Sequence, residues 1–359
     1  MSNTWGSLFK LHSFGESHGV AMGGIVEGMP AGFKLDVSAL QQELNRRKAS
    51  INTYSTTRFE PDELIILSGI EHEICLGSPI GFLIWNKAQK PQDYKSTHDI
   101  LRPSHADYTY LAKYGLHAQS GGGRSSARET LSRVVAGAMA KQVLCHYGIT
   151  VQSWIQQIGP LACKDIWDWP ATQLKSESMC PEIDVWNHMQ NLIETTQKQG
   201  NTLGGTIRCI ITGVPAGIGE PVFDKLHAKL GQGMLSIPTV KAVAFADAIA
   251  CTSKFGSETN DAFYTDAHGK IKTHTNHSGG IQGGISNGMP ICIETFFKPI
   301  SSIRSEQHSV THDGKATTFA IEGRHDVCVL PRALPIVEAM AAMTILDFWM
   351  LQQLRQFKA

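Results

Sequence analysis

Five short segments each combine at least two of histidine, arginine and glycine, and these residue types point to proton transfer on an anionic ligand. Gly15-Glu16-Ser17-His18-Gly19 sets an imidazole between glycines, which allows close backbone approach by a ligand. Taken alone, it reads equally as a turn before a strand. Arg102-Pro103-Ser104-His105-Ala106-Asp107-Tyr108 carries a second histidine, with Ser104 as the expected cap of a short helix; an ordinary cap with a surface histidine is the plainer alternative. In Gly121-Gly122-Gly123-Arg124-Ser125-Ser126-Ala127-Arg128-Glu129-Thr130, three glycines run into a predicted helix N-terminus with two arginines and two serines. Unpaired N–H groups, the helix dipole and guanidinium forks there favour phosphate over a mere flexible loop.

The fourth segment is Asn276-His277-Ser278-Gly279-Gly280-Ile281-Gln282-Gly283-Gly284-Ile285-Ser286, followed by Lys298-Pro299-Ile300-Ser301-Ser302. Bare backbone beside a lysine and serines suits a planar, phosphorylated cofactor. The fifth is Gly323-Arg324-His325-Asp326, with Arg332 just before the last predicted helix; an anion grip with a proton-handling acid and a surface salt-bridge cluster are its two readings. HExxH, a P-loop and a carboxylate-rich magnesium site are all absent from the sequence, and no metal site is expected. The inventory fits a phosphorylated cofactor, an anionic substrate and histidine-based proton transfer.

The elements that must carry these segments follow from periodicity. Strands are expected over 20–27, 64–67, 80–85, 206–212, 240–250 and 290–297. Helices are expected over 38–47 (capped by Asp36 or Ser38), around 108–114, from near Ser126 onward, and over 185–198, 221–233 and 333–355. The final helix should bury one side, through Ile336, Met340, Met343 and Phe348. Residues 160–182 read as irregular and 255–277 as a loop. The order lacks a strict βα alternation, so the fold class is α+β with antiparallel sheets, one domain over residues 1–359.

Composition excludes several classes. The 359 residues are 42% hydrophobic and 18% charged, which supports a core and argues against disorder. Lys+Arg 32 against Asp+Glu 32 leaves no net charge, so neither nucleic acid nor a membrane surface is an expected partner. Eight cysteines without a CxxC read as reduced thiols, no signal peptide is evident and no apolar run approaches ~18 residues, so a cytoplasmic location is expected.

In their order, these segments closely resemble the chorismate synthase family. GESHG at 15–19, GRSSARET at 123–130 and GRHD at 323–326 match its three signature regions. HADYTY at 105–110, TGVPAG at 212–217, GEPVFDKL at 219–226, NHSGGIQGGIS at 276–286 and KPISSI at 298–303 match between them, and the likeness spans about residues 5 to 355. The resemblance implies a β-α-β sandwich of antiparallel sheets around helices and a homotetramer. It implies a 1,4-trans elimination of phosphate from 5-enolpyruvylshikimate 3-phosphate to chorismate, requiring reduced FMN. By motif position, Arg47, Arg128 and Arg332 bind substrate. His18 assists phosphate departure, His105 lies by the reduced flavin and favours its monoanion, and Asp326 is the acid near flavin N5. Arg124, Ser125, Ser126, Thr239, Gly283, Lys298, Pro299, Ile300, Ser301, Ser302 and Arg324 are the implied FMN contacts. No extra segment for a built-in flavin reductase is evident, so the chain resembles the bacterial, monofunctional type that relies on an external flavin reductant.

The sequence departs from the family pattern at several points. Ala49-Ser50-Ile51-Asn52-Thr53 replaces the usual Pro-Gly-x-Ser-Arg, removing an arginine from the anion pocket or from any NADPH site. Pro238-Thr239 replaces Asn-Ala at a flavin-contacting position, where Pro lacks a backbone donor. Ile300 stands for Thr, Val327 for Pro and Ser104 for Gly. These changes keep a second reading open, a drifted flavin-binding relative with little or no lyase activity, against which His18, His105 and Asp326 argue. A generic nucleotide binder is a third and poorer reading, because no nucleotide loop is present.

Overall fold

The computed structural model describes residues 3–48, 61–87, 99–116, 122–168, 179–320 and 326–355. Two five-stranded antiparallel sheets enclose a helical layer. The first sheet runs in the order Thr4–Trp5, Lys10–Gly15, Ala21–Glu27, Ile80–Trp85, Leu64–Ile66. The second runs Val240–Phe245, Ile291–Phe297, Gly205–Thr212, Thr150–Ile158, Leu161–Ala162. Strands of the second sheet are rich in Ile, Val and Phe, as half-buried pleated surfaces require.

The helix Thr130–His146 packs on the first sheet, where Ser132 Oγ donates to Gly23 O at 2.8 Å. The helix Leu330–Arg355 packs on the second, where Ser153 Oγ donates to Leu334 O at 3.3 Å. The two helices meet at Gly137, where an added Cβ would lie 2.2 Å from the Ala339 Cβ, so only glycine permits this approach. Asp347, buried in the same C-terminal helix, accepts the backbone N–H groups of Ser7, Leu8 and Phe9 and ties the N-terminal segment to the core. The expected α+β sandwich is the observed fold.

Several boundaries differ from expectation. The helix expected near Ser126 starts at Thr130, after two 3-10 turns at Gly123–Ser125 and Ala127–Glu129. Two of the three glycines, Gly122 and Gly123, hold positive φ, which favours tight turning over helical entry. The strand expected to reach residue 250 ends at Phe245, and residues 255–277 are not all loop: Phe263–Thr265 and Ile271–Thr273 form a hairpin. The last helix begins at Leu330, so Arg332 sits in its first turn, and Ala333 to Phe348 are buried without interruption rather than along one side. By length and composition this helix could cross a membrane, contrary to the expectation that no apolar stretch was long enough. Instead, 83% of its most apolar window is buried between protein layers.

Candidate functional site

Three arginines from three elements converge. Asp36 caps the helix Val37–Arg47 by accepting from Ala39 N at 3.0 Å, and the helix ends in Arg47. Arg47 Nε donates to Thr130 Oγ1 and its Nη2 to Ala127 O, both at 2.9 Å, which brings it to the 3-10 turn that carries Arg128. Arg332 Nε donates to Arg47 O at 3.2 Å, and its Nη1 reaches Asp326 Oδ2 at 2.5 Å. Arg128 Nη2 pairs with Asp62 Oδ1 at 2.9 Å. Two of the three cations thus have a carboxylate. Arg47 makes no ion pair among the described residues, although the charges of Asp62 and Glu129 act on it: it is 3% exposed, and its Nη1 is buried with no hydrogen-bond partner among those residues. Burial, with Arg332 and Arg128 nearby, pushes its guanidinium down to about 9. A buried cation beside two others is a strong attractor for an anion of several charges.

The His18 loop borders this cluster. Gly15 O accepts from Arg124 Nη1 at 3.0 Å, while Glu16 O and Gly19 O accept from Asn86 Nδ2 at 3.1 and 2.7 Å. Ser17 Oγ lies 3.0 Å from His18 Nδ1, and Ser17 is buried. Arg124 therefore holds the glycine loop, its Nη2 reaching Ser13 Oγ at 2.6 Å. Ser125 Oγ donates to Gly122 O, and Ser126 Oγ accepts from Arg128 N, so both hydroxyls shape the turn.

A second group surrounds His105. Its Nδ1 lies 2.6 Å from Asp107 Oδ1, and Arg102 grips the same carboxylate through Nε and Nη2, each at 2.7 Å. Burial would raise the Asp107 carboxyl, but His105 and Arg102 hold it well below the usual range. Ser104 does not cap the following helix: Ala106 takes the N-cap position with no side-chain bond. Ser104 instead adopts φ 57, the left-handed region that glycine enters without strain. Lys298 Nζ reaches Ser104 O at 3.3 Å, and Lys298 N donates to Thr239 O at 2.9 Å. Thr239 has φ 72, and its hydroxyl is buried with no partner among the described residues. Ile300 O accepts from Thr202 Oγ1, Pro299 and Ser301 adjoin it, and Ser302 is buried.

Gly283 and Gly284, with φ 61 and 93, turn the hairpin Ile281–Gln282/Ile285–Ser286, a left-handed pair that suits a type I′ turn. Nothing lies within 4 Å of where a Gly283 Cβ would stand. The preceding segment is anchored by Asp261, which accepts from Thr275 Oγ1, His277 N, Ser278 N and Ser278 Oγ. Burial opposes that charge, yet these bonds bring its carboxyl down to about 2.

Arg324, with Gly323 and His325, lies outside the described residues, as do Gly121 and the 49–53 departure that includes Thr53. Sequence reasoning missed Asp62 and Asn86 and gave Asp107 no role. Asp107 alone carried a local signal, two residues from His105 and five from Arg102; Asp62 and Asn86 reach Arg128 only through the fold.

The sequence matches the family model described as "Chorismate synthase" over residues 9–350. A chorismate synthase of Phocaeicola vulgatus is 49% identical over 358 residues, covering 99% of this chain and 100% of that protein. One from Parabacteroides distasonis is also 49% identical, covering 99% of each chain. Among solved structures, a crystal structure of chorismate synthase superimposes with a TM-score of 0.76 at 26% identity, covering 97% of this chain and 93% of that one.

Proposed function

The chain belongs to the chorismate synthase family, a carbon–oxygen lyase that eliminates phosphate from 5-enolpyruvylshikimate 3-phosphate to give chorismate, and on that premise we propose how its residues divide the work. Arg47, Arg128 and Arg332 bind the substrate anions. The observation that carries this assignment is the buried, unpartnered Nη1 of Arg47 between two further guanidinium groups. The substrate brings a phosphate and two carboxylates, enough charge to satisfy a cation that makes no ion pair among the described residues.

His18, on a loop held at three carbonyls, donates a proton as phosphate leaves. Asp326, oriented by Arg332, is the acid that would lie near flavin N5. His105 is oriented through Nδ1 by Asp107, which leaves Nε2 to act. Reduced FMN, when bound, supplies electron density to the allylic system during the elimination.

The residues around Thr239 fit such a cofactor, since a buried hydroxyl without a partner, the Lys298 ammonium and the bare Gly283 turn suit a planar, phosphorylated ligand. Ser125, Ser126, Pro299, Ile300, Ser301, Ser302 and Arg324 complete the proposed contacts, and Arg124 contributes by holding the loop beneath. An external reductant, a homotetramer, a cytoplasmic location and one domain over 1–359 belong to the same proposal.

The test is an oxygen-free assay with dithionite-reduced FMN and the enolpyruvyl substrate, following chorismate absorbance. His18→Ala and His105→Ala should stay folded and lose roughly 10²–10⁴-fold in rate. Loss of His18 should appear in turnover of bound substrate. Loss of His105 should shift the pH at which the bound-flavin spectrum changes from neutral to anionic. Wild-type protein that binds both ligands and makes no chorismate would favour the drifted relative.

A further inference from the structure

Asn86 follows the strand Ile80–Trp85 and is 7% exposed. Its backbone N–H donates to Val20 O at 3.0 Å, which fixes the residue against the end of the His18 loop. Its side chain faces two ways. Nδ2 donates to Glu16 O and Gly19 O, the carbonyls on either side of His18, at 3.1 and 2.7 Å. Oδ1 accepts from Arg128 Nε at 2.6 Å. The partners dictate this orientation: a carbonyl can only accept and a guanidinium can only donate, so a flipped amide would lose all three bonds.

We propose that Asn86 is a positioning residue that couples the anion-binding Arg128 to the proton donor His18, one amide holding the guanidinium and both shoulders of the histidine loop. The inference rests on the roles given above to His18 and Arg128. Asp62 also restrains Arg128, through Nη2, so the guanidinium is held at two of its nitrogens. When substrate engages Arg128, the same amide sets the place of the loop that must deliver a proton to the departing phosphate. No other side-chain amide among the described residues bridges these two groups.

The test is a double-mutant cycle on the full chain with reduced FMN, read as single-turnover rate and KM. Asn86→Ala removes all three bonds. Asn86→Asp keeps the size and the acceptor for Arg128 but loses both donors to the loop, and it carries the test if the alanine variant does not fold. Each variant should lower the rate roughly 10–100-fold in the native background, the scale of a misplaced catalytic group, with KM for Asn86→Asp changed less than about threefold. In a His18→Ala background, the same substitutions should cost less than about twofold more, because a donor already removed cannot be misplaced. Equal factors in both backgrounds mean that Asn86 only supports the fold, and they overturn the coupling while leaving His18 as the donor. Full activity in His18→Ala itself overturns the role of His18 and the coupling with it.

Discussion

Replacing Arg47 with methionine should make the protein more stable and a poorer binder of substrate. The guanidinium is held at about 9 against an ordinary 12.5, with burial the largest cause and Arg332 and Arg128 adding to it. At about 1.4 kcal/mol for each tenfold step in proton affinity, keeping this group charged at neutral pH costs the fold about 5 kcal/mol. Methionine keeps much of the length and removes the charge. It forfeits the bonds to Thr130 Oγ1 and Ala127 O, about 1 kcal/mol each. Ala127 O keeps a second donor, the Thr130 hydroxyl at 2.6 Å, so no buried carbonyl is stranded. The balance is a gain of about 3 kcal/mol, seen as a rise of a few degrees in Tm by calorimetry. Substrate binding, titrated calorimetrically with FMN present, should weaken by about 1.5–3 kcal/mol, or roughly ten- to a hundredfold. A lower Tm would refute the reasoning that this cation is unmatched in the fold. Unchanged substrate affinity would refute its place in the anion site.

Arg128→Ala should lower stability as well as substrate affinity, by about 3–5 kcal/mol, because Asp62 would be left buried and unpaired; adding Asp62→Asn should restore Tm without restoring binding. Thr239→Gly should raise Tm by relieving a left-handed β-branched residue, strain of about 1–3 kcal/mol, and should weaken FMN about tenfold in titration by removing a free hydroxyl. FMN should bind more tightly with substrate than without, because the anions close the site and exclude water; equal calorimetric affinities would count against a shared site. Glu338 predicts the acid limb: burial opposes its charge, but Lys141 and Arg46 bring it to about 2 from 4.5. Its contribution, about 3 kcal/mol by the same conversion, is complete above pH 4.5 and lost as pH falls toward 2. Unfolding free energies against pH should show that loss in the native chain and not in Glu338→Gln.

The segments that carry chemistry were legible in the sequence because each is local. A histidine between glycines, an arginine-serine turn after glycines and a lysine-proline-serine run keep their meaning whatever lies across the fold. The fold class was legible for a related reason: apolar periods of two and of 3.6 report which faces are buried. Asp36 as a cap is a similarly short-range fact, and the structure has it accept from Ala39.

What tertiary structure alone decided was partnership. Arg47, Arg128 and Arg332 look alike in sequence, yet among the described residues two make ion pairs and one makes none, and the carboxylate that Arg128 meets, Asp62, lies 66 residues away along the chain. Arg124, expected to hold a cofactor, spends its terminal nitrogens on Ser13 and Gly15. The start of the helix after the glycines moved from Ser126 to Thr130 because the two Gly residues described there take left-handed φ. Glu338 and Asp347 would be misfits in an apolar helix without Arg46, Lys141 and the N-terminal backbone to receive them. The physical reason is common to all of these. A charge or amide has no preference along the chain beyond a few residues, and its energy is set by the groups that packing brings within about 3 Å.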